Sequence, residues 1–165
     1  MESESVLQLV RQLKDTPSIA PVPGVSVRTY AGGEDIAAWL MLREGAFARE
    51  KVGVRGWTVR DFEHEFLAKS WWNPQHVWFA EAGGLPVGTV TMALRGAGPR
   101  AKPAIHWLAV LPAWRRRGVG RLLVETLERA AWEAGYREVW LETHTQWDRA
   151  LRLYQSLGYV ASGRT

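Results

Sequence analysis

The chain has 165 residues, of which 47% are hydrophobic and 23% charged, with a formal net charge of +4 at pH 7. This length fits one domain with a single core, and no apolar run reaches the roughly 18 residues that a membrane span needs. The absence of cysteine excludes disulfides, thiolate metal ligands and a cysteine nucleophile. Arg11 and Lys14 interrupt the first apolar stretch, so no secretory signal is indicated, and we expect a cytoplasmic protein without membrane association.

The positive charge is modest and spread along the chain, which is typical of a solvated basic surface. A nucleic-acid module would need an arginine stripe wider than the one cluster at residues 115–117, so we expect no nucleic-acid partner. The chain also holds ten tryptophans. Most of them are predicted to lie in the core or in cleft walls, because aromatic area is costly to expose, and we interpret Trp57, Trp71 and Trp107 as core.

The N-terminal part is predicted to form a short helix over 6–14, followed by a proline-rich linker. Val6, Leu7, Leu9, Val10 and Leu13 have helical spacing, and the prolines that follow would stop a helix. We therefore divide the chain into an N-terminal helix and linker, residues 1–24, and one domain over residues 25–165.

The domain alternates short strands with helices. The second of its first two helices begins at Thr58, with Asp61 in the position of a capping box. Three strand-like runs then follow each other closely and are typical of an antiparallel meander. In chain order we expect a strand over 25–30, helices over about 34–49 and 58–70, strands over 76–82, 86–94 and 104–111, a helix over about 118–134, a strand over 137–144, a helix over about 146–157, and a last strand from 159.

This order predicts an α/β fold with a mixed, mostly antiparallel central sheet and helices on both faces. The strands at 104–111 and 137–144 would be parallel neighbours joined by a right-handed crossover. Ligands of parallel strands gather at the carboxyl ends of the strands, beside the N-terminus of the next helix. The most unusual loop of the sequence falls there.

That loop reads RRRGVG, residues 115–120. Two glycines separated by one residue let the backbone approach a bulky anion, and the first N–H groups of the following helix are free to bind it. The loop is not a Walker A sequence, because no Lys-Ser or Lys-Thr follows, and it lacks the third glycine of a dinucleotide fingerprint. By itself it indicates either an anion site or an ordinary basic loop entering a helix.

The same loop resembles the hallmark of the GCN5-related N-acetyltransferase (GNAT) family, which is Gln or Arg, two residues, Gly, one residue, then Gly or Ala. In this sequence those positions are Arg115, Gly118 and Gly120. They follow the strand end Leu108-Ala109-Val110, as in that family.

A second segment, residues 150–159, resembles another motif of the family. It contains Ala150, the pair Leu153-Tyr154 and the pair Gly158-Tyr159. Two motifs at the expected separation are more specific than either one, and the element order from 25 to 160 is similar as well. The resemblance therefore implies the acyl-CoA N-acyltransferase fold.

The resemblance implies acetyl-CoA as cosubstrate, with its pyrophosphate on residues 115–121 and its pantetheine arm between the strands ending near Val110 and Thr143. It implies transfer of the acetyl group to a primary amine, on a small molecule or a peptide, by direct attack in a ternary complex. The alternative is a non-catalytic acyl-CoA-binding regulatory domain. The implied cosubstrate-binding residues are Leu108, Ala109, Val110, Arg115, Arg116, Arg117, Gly118, Val119, Gly120 and Arg121.

Amine acetylation needs an acid for the departing thiolate, an oxyanion stabiliser and a base. Tyr154 matches the tyrosine of the family and is the expected acid. The backbone N–H of Val110, or of a neighbour at a distortion of its strand, is the oxyanion donor that the resemblance implies. For the base we favour His106, which would share a strand face with Val110 by period two. Glu81, Glu142, His144 or a water are the alternatives, and no metal site is indicated.

Two features depart from the family. Trp147 stands where the family often has Asn, which puts a polar contact to the pantetheine arm in question. The sequence up to Thr165 also accounts for one strand fewer than the family fold has. Either that strand is missing, or the N-terminal segment or another subunit supplies it, and a homodimer is one arrangement of the last kind.

Overall fold

A computed structural model describes residues 6–47, 56–145 and 147–162 of the chain. Its strands and helices are those expected from the sequence, apart from the first. The strands are β1 (Val6–Gln12), β2 (Val25–Thr29), β3 (Val77–Ala82), β4 (Leu85–Arg95), β5 (Lys102–Val110), β6 (Glu138–His144) and β7 (Val160–Ala161). The helices are α1 (Glu34–Phe47), α2 (Val59–Phe62), α3 (Val119–Glu133) and α4 (Asp148–Ser156).

The strands form one sheet in the order β2-β3-β4-β5-β6-β1-β7. Neighbouring strands are antiparallel except β5 and β6, which are parallel. Helix α3 makes the crossover between these two parallel strands, as predicted. The mixed, mostly antiparallel sheet with helices on both faces is therefore confirmed.

The helix predicted over 6–14 is wrong, because this segment is strand β1, which lies between β6 and β7. Its register with β6 runs from Val6 opposite His144 to Gln12 opposite Glu138. A strand inside a sheet carries apolar residues on both faces, and here their spacing imitated that of a helix. The N-terminal segment thus supplies one strand of the sheet, which was one of the expected alternatives. The division of the chain at residue 24 stays a prediction.

Two core clusters cover the opposite faces of the sheet. The first core joins α3 and α4 to one face, with Leu123 and Leu127 fully buried on α3. The second core joins α1 and α2 to the other face through Trp39 and Phe62. Trp57, Trp71 and Trp107 pack against the second core, in agreement with their interpretation as core residues.

The helix expected over 58–70 consists of α2 followed by a π-helical turn, Glu63–Leu67. The capping box between Thr58 and Asp61 is present. The turn stacks the rings of Phe62 and Phe66 with centroids 4.6 Å apart. This wider turn places Phe66 over β5, where the candidate site lies. The expected continuation of α1 to residue 49, and most of the loop expected at 50–57, lie outside the described residues.

Candidate active site

A cleft opens between the parallel strands β5 and β6. Their pairing is confined to Ala104 opposite Trp140 and Ile105 opposite Leu141. Strand β5 continues to Val110 and β6 to His144 without further pairing between them. The unpaired edges leave backbone N–H and C=O groups available to a ligand that enters between the strands.

A β-bulge distorts β5 at the start of this cleft. Thr91 of β4 lies opposite His106, but Thr89 lies opposite Ala109, so β5 contains one additional residue. Trp107 within the bulge has φ 52°, a left-handed conformation that is uncommon for a large side chain. The distortion that the sequence analysis allowed for on this strand therefore exists, and its position is 107–108.

The bulge also separates His106 from Val110. The His106 ring lies 5.4 Å from the rings of Phe66 and of Trp71, on the second-core face, whereas Val110 packs against the first core. The expectation that His106 and Val110 share a face is therefore wrong. That expectation assumed strict alternation of side chains along β5 and did not include the additional residue of the bulge.

The backbone N–H of Val110 points into the cleft. Leu111 N donates to Val87 O at 3.0 Å, so the backbone groups of Leu111 face β4. Residues of an antiparallel strand alternate in the side to which their N–H points, so that of Val110 faces β6 instead. An N–H group in this orientation is a suitable donor to an oxyanion that forms between the strands.

The predicted anion cradle lies beside the cleft, at the N-terminus of α3. Gly118 is the N-cap with φ 88°, and the first helical bond runs from Leu122 N to Gly118 O at 2.9 Å. The N–H groups of residues 119–121 precede this bond, so the helix itself does not use them. A Cβ at Gly120 would lie 3.1 Å from Leu153 Cδ2 of α4, which shows how closely the cradle approaches that helix.

The three arginines of the cradle differ in their surroundings. Arg115 donates from Nη2 to the carbonyl of Ala46 at 2.6 Å, and so holds the loop against the end of α1. The Arg117 guanidinium lies 4.8 Å from the ring centre of Trp114, and both Arg116 and Arg117 are exposed. Arg115 thus has a structural contact, while the other two cations are accessible to an anion.

Tyr154 is buried on the first-core side of the cleft, next in sequence to Leu153 on α4. Its ring packs at 6.0 Å from the ring of Tyr159. Burial raises the pKa of the Tyr154 phenol, because the charged form loses its hydration. The phenol is therefore protonated at neutral pH and can donate a hydrogen bond.

His106 lies on the opposite, second-core side. Burial, together with the smaller effects of the Arg95 and Lys69 charges, lowers the pKa of His106 to about 4, while the carboxylates of Glu65 and Glu142 oppose the shift. The imidazole is therefore neutral at pH 7 and able to accept a proton, although its basicity is low.

The other candidate bases lie in different places. Glu81 pairs with Arg28 at 3.1 Å on β3, which β4 separates from β5. Glu142 pairs with Arg95 at 3.2 Å and also accepts from the Gln8 amide. His144 ends β6 at the cleft. The structure thus brings His106 and His144, but not Glu81, to the walls of the cleft.

Sequence reasoning missed an aromatic contact across the second-core side of the cleft. The Phe47 ring lies 5.8 Å from that of Trp107 on β5 and 6.0 Å from that of Trp147, which follows β6. We call these three side chains the aromatic bridge. Trp147 stood out in the sequence only as a departure from a family motif, and Phe47 only as an apolar residue on the inner face of its predicted helix.

Among the described residues, no cluster of three or more His, Asp or Glu side chains could hold a metal ion. In the same part of the chain, no helix is both long and apolar enough to cross a membrane.

The sequence matches the acetyltransferase (GNAT) family over residues 35–159. The chain therefore belongs to the GNAT family, an acyltransferase class, and the predicted resemblance is confirmed.

Individual relatives are similar over most of the chain. It is 30% identical over 157 residues to the mycothiol acetyltransferase of Thermomonospora curvata, covering 94% of this chain and 51% of that protein. The chain thus spans about half the length of that relative. A GCN5-related N-acetyltransferase from Sphaerobacter thermophilus superposes with a TM-score of 0.78 at 24% identity, over 95% of this chain and 48% of the other. An aminoglycoside N-acetyltransferase in complex with CoA gives 0.64 at 20% identity, over 86% and 91%. These structures confirm the fold.

Proposed function

We propose that the chain is an N-acetyltransferase that moves the acetyl group of acetyl-CoA to a primary amine by direct attack in a ternary complex. The observation that carries this proposal is the cleft between β5 and β6, with the Val110 N–H directed into it and the glycine cradle beside it. The absence of cysteine supports direct attack, because no cysteinyl thioester can form.

The cradle fits a pyrophosphate at its entrance. The N–H groups of residues 119–121 and the exposed Arg116 and Arg117 would hold the phosphates, and Gly120 has no Cβ to fill the space beside Leu153. The unpaired edges of β5 and β6 would bind the amides of the pantetheine arm, including the backbone of Leu108 and Val110. The arm would thus bring the thioester to the bulge in β5.

In the proposed reaction the two faces of the cleft have different tasks. The amine nitrogen attacks the thioester carbon from the second-core side, and the carbonyl oxygen becomes an oxyanion that accepts from the Val110 N–H. The C–N bond forms, the C–S bond breaks, and the thiolate leaves towards Tyr154 on the first-core side. Opposite faces keep the base and the acid apart during the reaction.

Tyr154 acts chiefly as a hydrogen-bond donor to the thiolate. A thiol has a pKa near 8.5, and burial raises the pKa of Tyr154 above the ordinary tyrosine value of about 10. Complete proton transfer from the phenol is therefore uphill, at about 1.4 kcal/mol for each pKa unit. Donation alone stabilises the developing charge, and water then protonates the thiolate.

His106 is the proposed base, since its neutral imidazole lies on the face from which the amine attacks. It would accept the proton that the nitrogen loses as the tetrahedral intermediate collapses, directly or through a water. His144 is the alternative on the other wall of the cleft.

The proposed acceptor is a small-molecule amine, because the names of the similar proteins refer to mycothiol and aminoglycosides. A panel of such amines, with peptide N-termini for comparison, would be incubated with acetyl-CoA and assayed for free thiol. The protein has no cysteine, so the thiol signal comes from CoA alone. Amine-dependent thiol release supports the proposal. Acetyl-CoA binding without release with any amine favours a binding-only domain instead.

A further inference from the structure

The carboxyl end of β6 holds two buried nitrogen atoms that lack hydrogen-bond partners among the described residues. They are His144 Nδ1 and Trp147 Nε1. Buried polar groups are nearly always hydrogen-bonded in native proteins, to protein, water or ligand. These two atoms belong to residues three apart in the chain, at the wall of a cleft. They indicate a hydrogen-bond partner from outside the chain, such as a bound substrate.

The two side chains are held in place by neighbouring contacts. Their rings lie 4.7 Å apart in an edge contact, and Trp147 also stacks on Phe47 of the aromatic bridge. Trp147 N donates to His144 O at 3.0 Å, and Trp147 O accepts from Leu151 N at 3.0 Å. The backbone thus fixes the indole at the point where β6 ends and α4 begins.

We propose that Trp147 and His144 together bind one uncharged oxygen of a substrate, an inference that rests on the proposed acetyl transfer. An indole N–H can only donate, whereas a neutral imidazole Nδ1 can donate or accept, depending on its tautomer. A carbonyl oxygen can accept from both groups. A hydroxyl oxygen can accept from Trp147 and donate to His144.

Two substrates could supply this oxygen. Acetyl-CoA carries amide and thioester carbonyls along the arm that enters the cleft. An amino alcohol or amino sugar carries a hydroxyl beside its reacting amine. The Trp147 ring stacks on Phe47 of the aromatic bridge and the His144 ring packs against Trp147, on the side where the acyl group and the amine would meet, so each source is compatible with their position.

The test uses Trp147→Phe, which keeps the stacking ring and removes the N–H, and His144→Phe, which removes Nδ1. Trp140→Phe is the matched control, because the indole N–H of Trp140, on β6, already donates to Glu138 at 2.9 Å. For each protein one would measure the Kd of acetyl-CoA by calorimetry, and KM and kcat for an active amine. Both variants should weaken one of the two affinities by about 3- to 10-fold, the equivalent of one hydrogen bond. The control should match the wild type.

A rise in the Kd of acetyl-CoA in both variants assigns the oxygen to the cosubstrate. A rise in the KM of the amine, with Kd unchanged, assigns it to the acceptor. The inference is overturned if neither affinity changes, if the two variants affect different affinities, or if His144→Phe lowers kcat alone. Melting without ligand monitors folding, and His144→Phe carries the test if Trp147→Phe does not fold.

The wild type separates this inference from the proposed function. A wild type that binds acetyl-CoA and acetylates an amine, beside variants with unaltered affinities, contradicts only the role of Trp147 and His144. A wild type that binds no acetyl-CoA contradicts the proposed function and this inference with it.

Discussion

Gly120 and Leu153 are in contact where α3 and α4 meet, and a Cβ at position 120 would lie 3.1 Å from Leu153 Cδ2. Val110 Cγ2 of β5 would lie 3.8 Å from the same Cβ. The two motifs that the sequence analysis found far apart are thus parts of one packed unit. Gly120 sets how closely α4, with Tyr154, approaches the cradle.

Replacing Gly120 with Val should therefore raise the KM for acetyl-CoA by about 10-fold or more, because a branched side chain must displace Leu153 or enter the phosphate site. The free energy of unfolding should fall by only about 1 kcal/mol, since residue 120 lies in the first turn of a helix. Gly32→Val is the matched control, because the Cβ position of Gly32 has no atom within 4 Å among the described residues. Equal KM values in the two variants would contradict the assigned role of Gly120.

The Tyr154→Phe variant should keep its affinity for acetyl-CoA and lose turnover by about 10²-fold, because the departing thiolate loses its hydrogen-bond donor. Burial raises the pKa of Tyr154, so the phenol stays protonated and should cause no loss of wild-type kcat below pH 10. Steady-state rates and calorimetric Kd values check both statements. Unchanged turnover in the variant would remove Tyr154 from the mechanism.

His106 should make the stability of the fold depend on pH in the acidic range. Burial lowers its pKa from an ordinary 6.5 to about 4, so between these values the unfolded chain binds more protons than the folded chain. Stability is therefore lost as the pH falls through this window, by at most about 1.4 kcal/mol per pH unit. Urea denaturation at pH 7, 5.5 and 4.5 measures it.

The variant His106→Gln isolates this effect from other titrating groups. The difference in unfolding free energy between wild type and variant should be constant above pH 7 and shift against the wild type as the pH falls towards 4. A difference that does not vary with pH would show that His106 titrates normally in the folded protein.

A partly buried network holds β1 in the sheet. Arg11 donates to both carboxylate oxygens of Glu128 at 2.8 Å, and the Tyr159 hydroxyl donates to the same group at 2.9 Å. Glu128 is 0% exposed, and burial raises its pKa, which the charge of Arg11 opposes. Removing Arg11 would leave a buried carboxylate without its cation.

Arg11→Met should accordingly reduce the unfolding free energy by about 3 kcal/mol at pH 8. The loss should be smaller at pH 5, because Glu128 can then be protonated: a carboxyl with a raised pKa in the folded state loses stability as the pH rises. Lys69→Met, which breaks an exposed pair with Glu65, should cost less than about 1 kcal/mol. Equal losses in the two variants would contradict the anchoring of β1 by Arg11.

The sequence predicted that the Gly118–Gly120 loop begins a helix and that Tyr154 lies on an amphipathic helix, because both features depend on local signals. Two glycines at fixed spacing and an amphipathic helix with a tyrosine keep their meaning whatever surrounds them. The crossover through α3 between the parallel strands β5 and β6 followed from the same element order. The opening of the cleft itself could not be predicted, since the pattern does not show where two parallel strands stop pairing.

The features that the sequence predicted wrongly, strand β1 and the face of His106, depend on long-range contacts. Along β1 and the residue after it, Leu9, Arg11 and Leu13 alternate towards the first-core side, but the charge of Arg11 concealed that period in the sequence, because its partner Glu128 lies far along the chain. The bulge at Trp107 left no mark in the sequence, because a left-handed tryptophan is enforced by packing rather than by propensity. Its additional residue moved His106 to the face opposite Val110.

The most direct test of the account is a calorimetric titration of the wild-type chain with acetyl-CoA. The cleft and cradle predict one saturable site per chain, with an affinity that falls clearly in Gly120→Val and stays nearly unchanged in Tyr154→Phe. Absence of saturable binding, or the same affinity in Gly120→Val as in the wild type, would contradict acetyl-CoA binding in the cleft between β5 and β6.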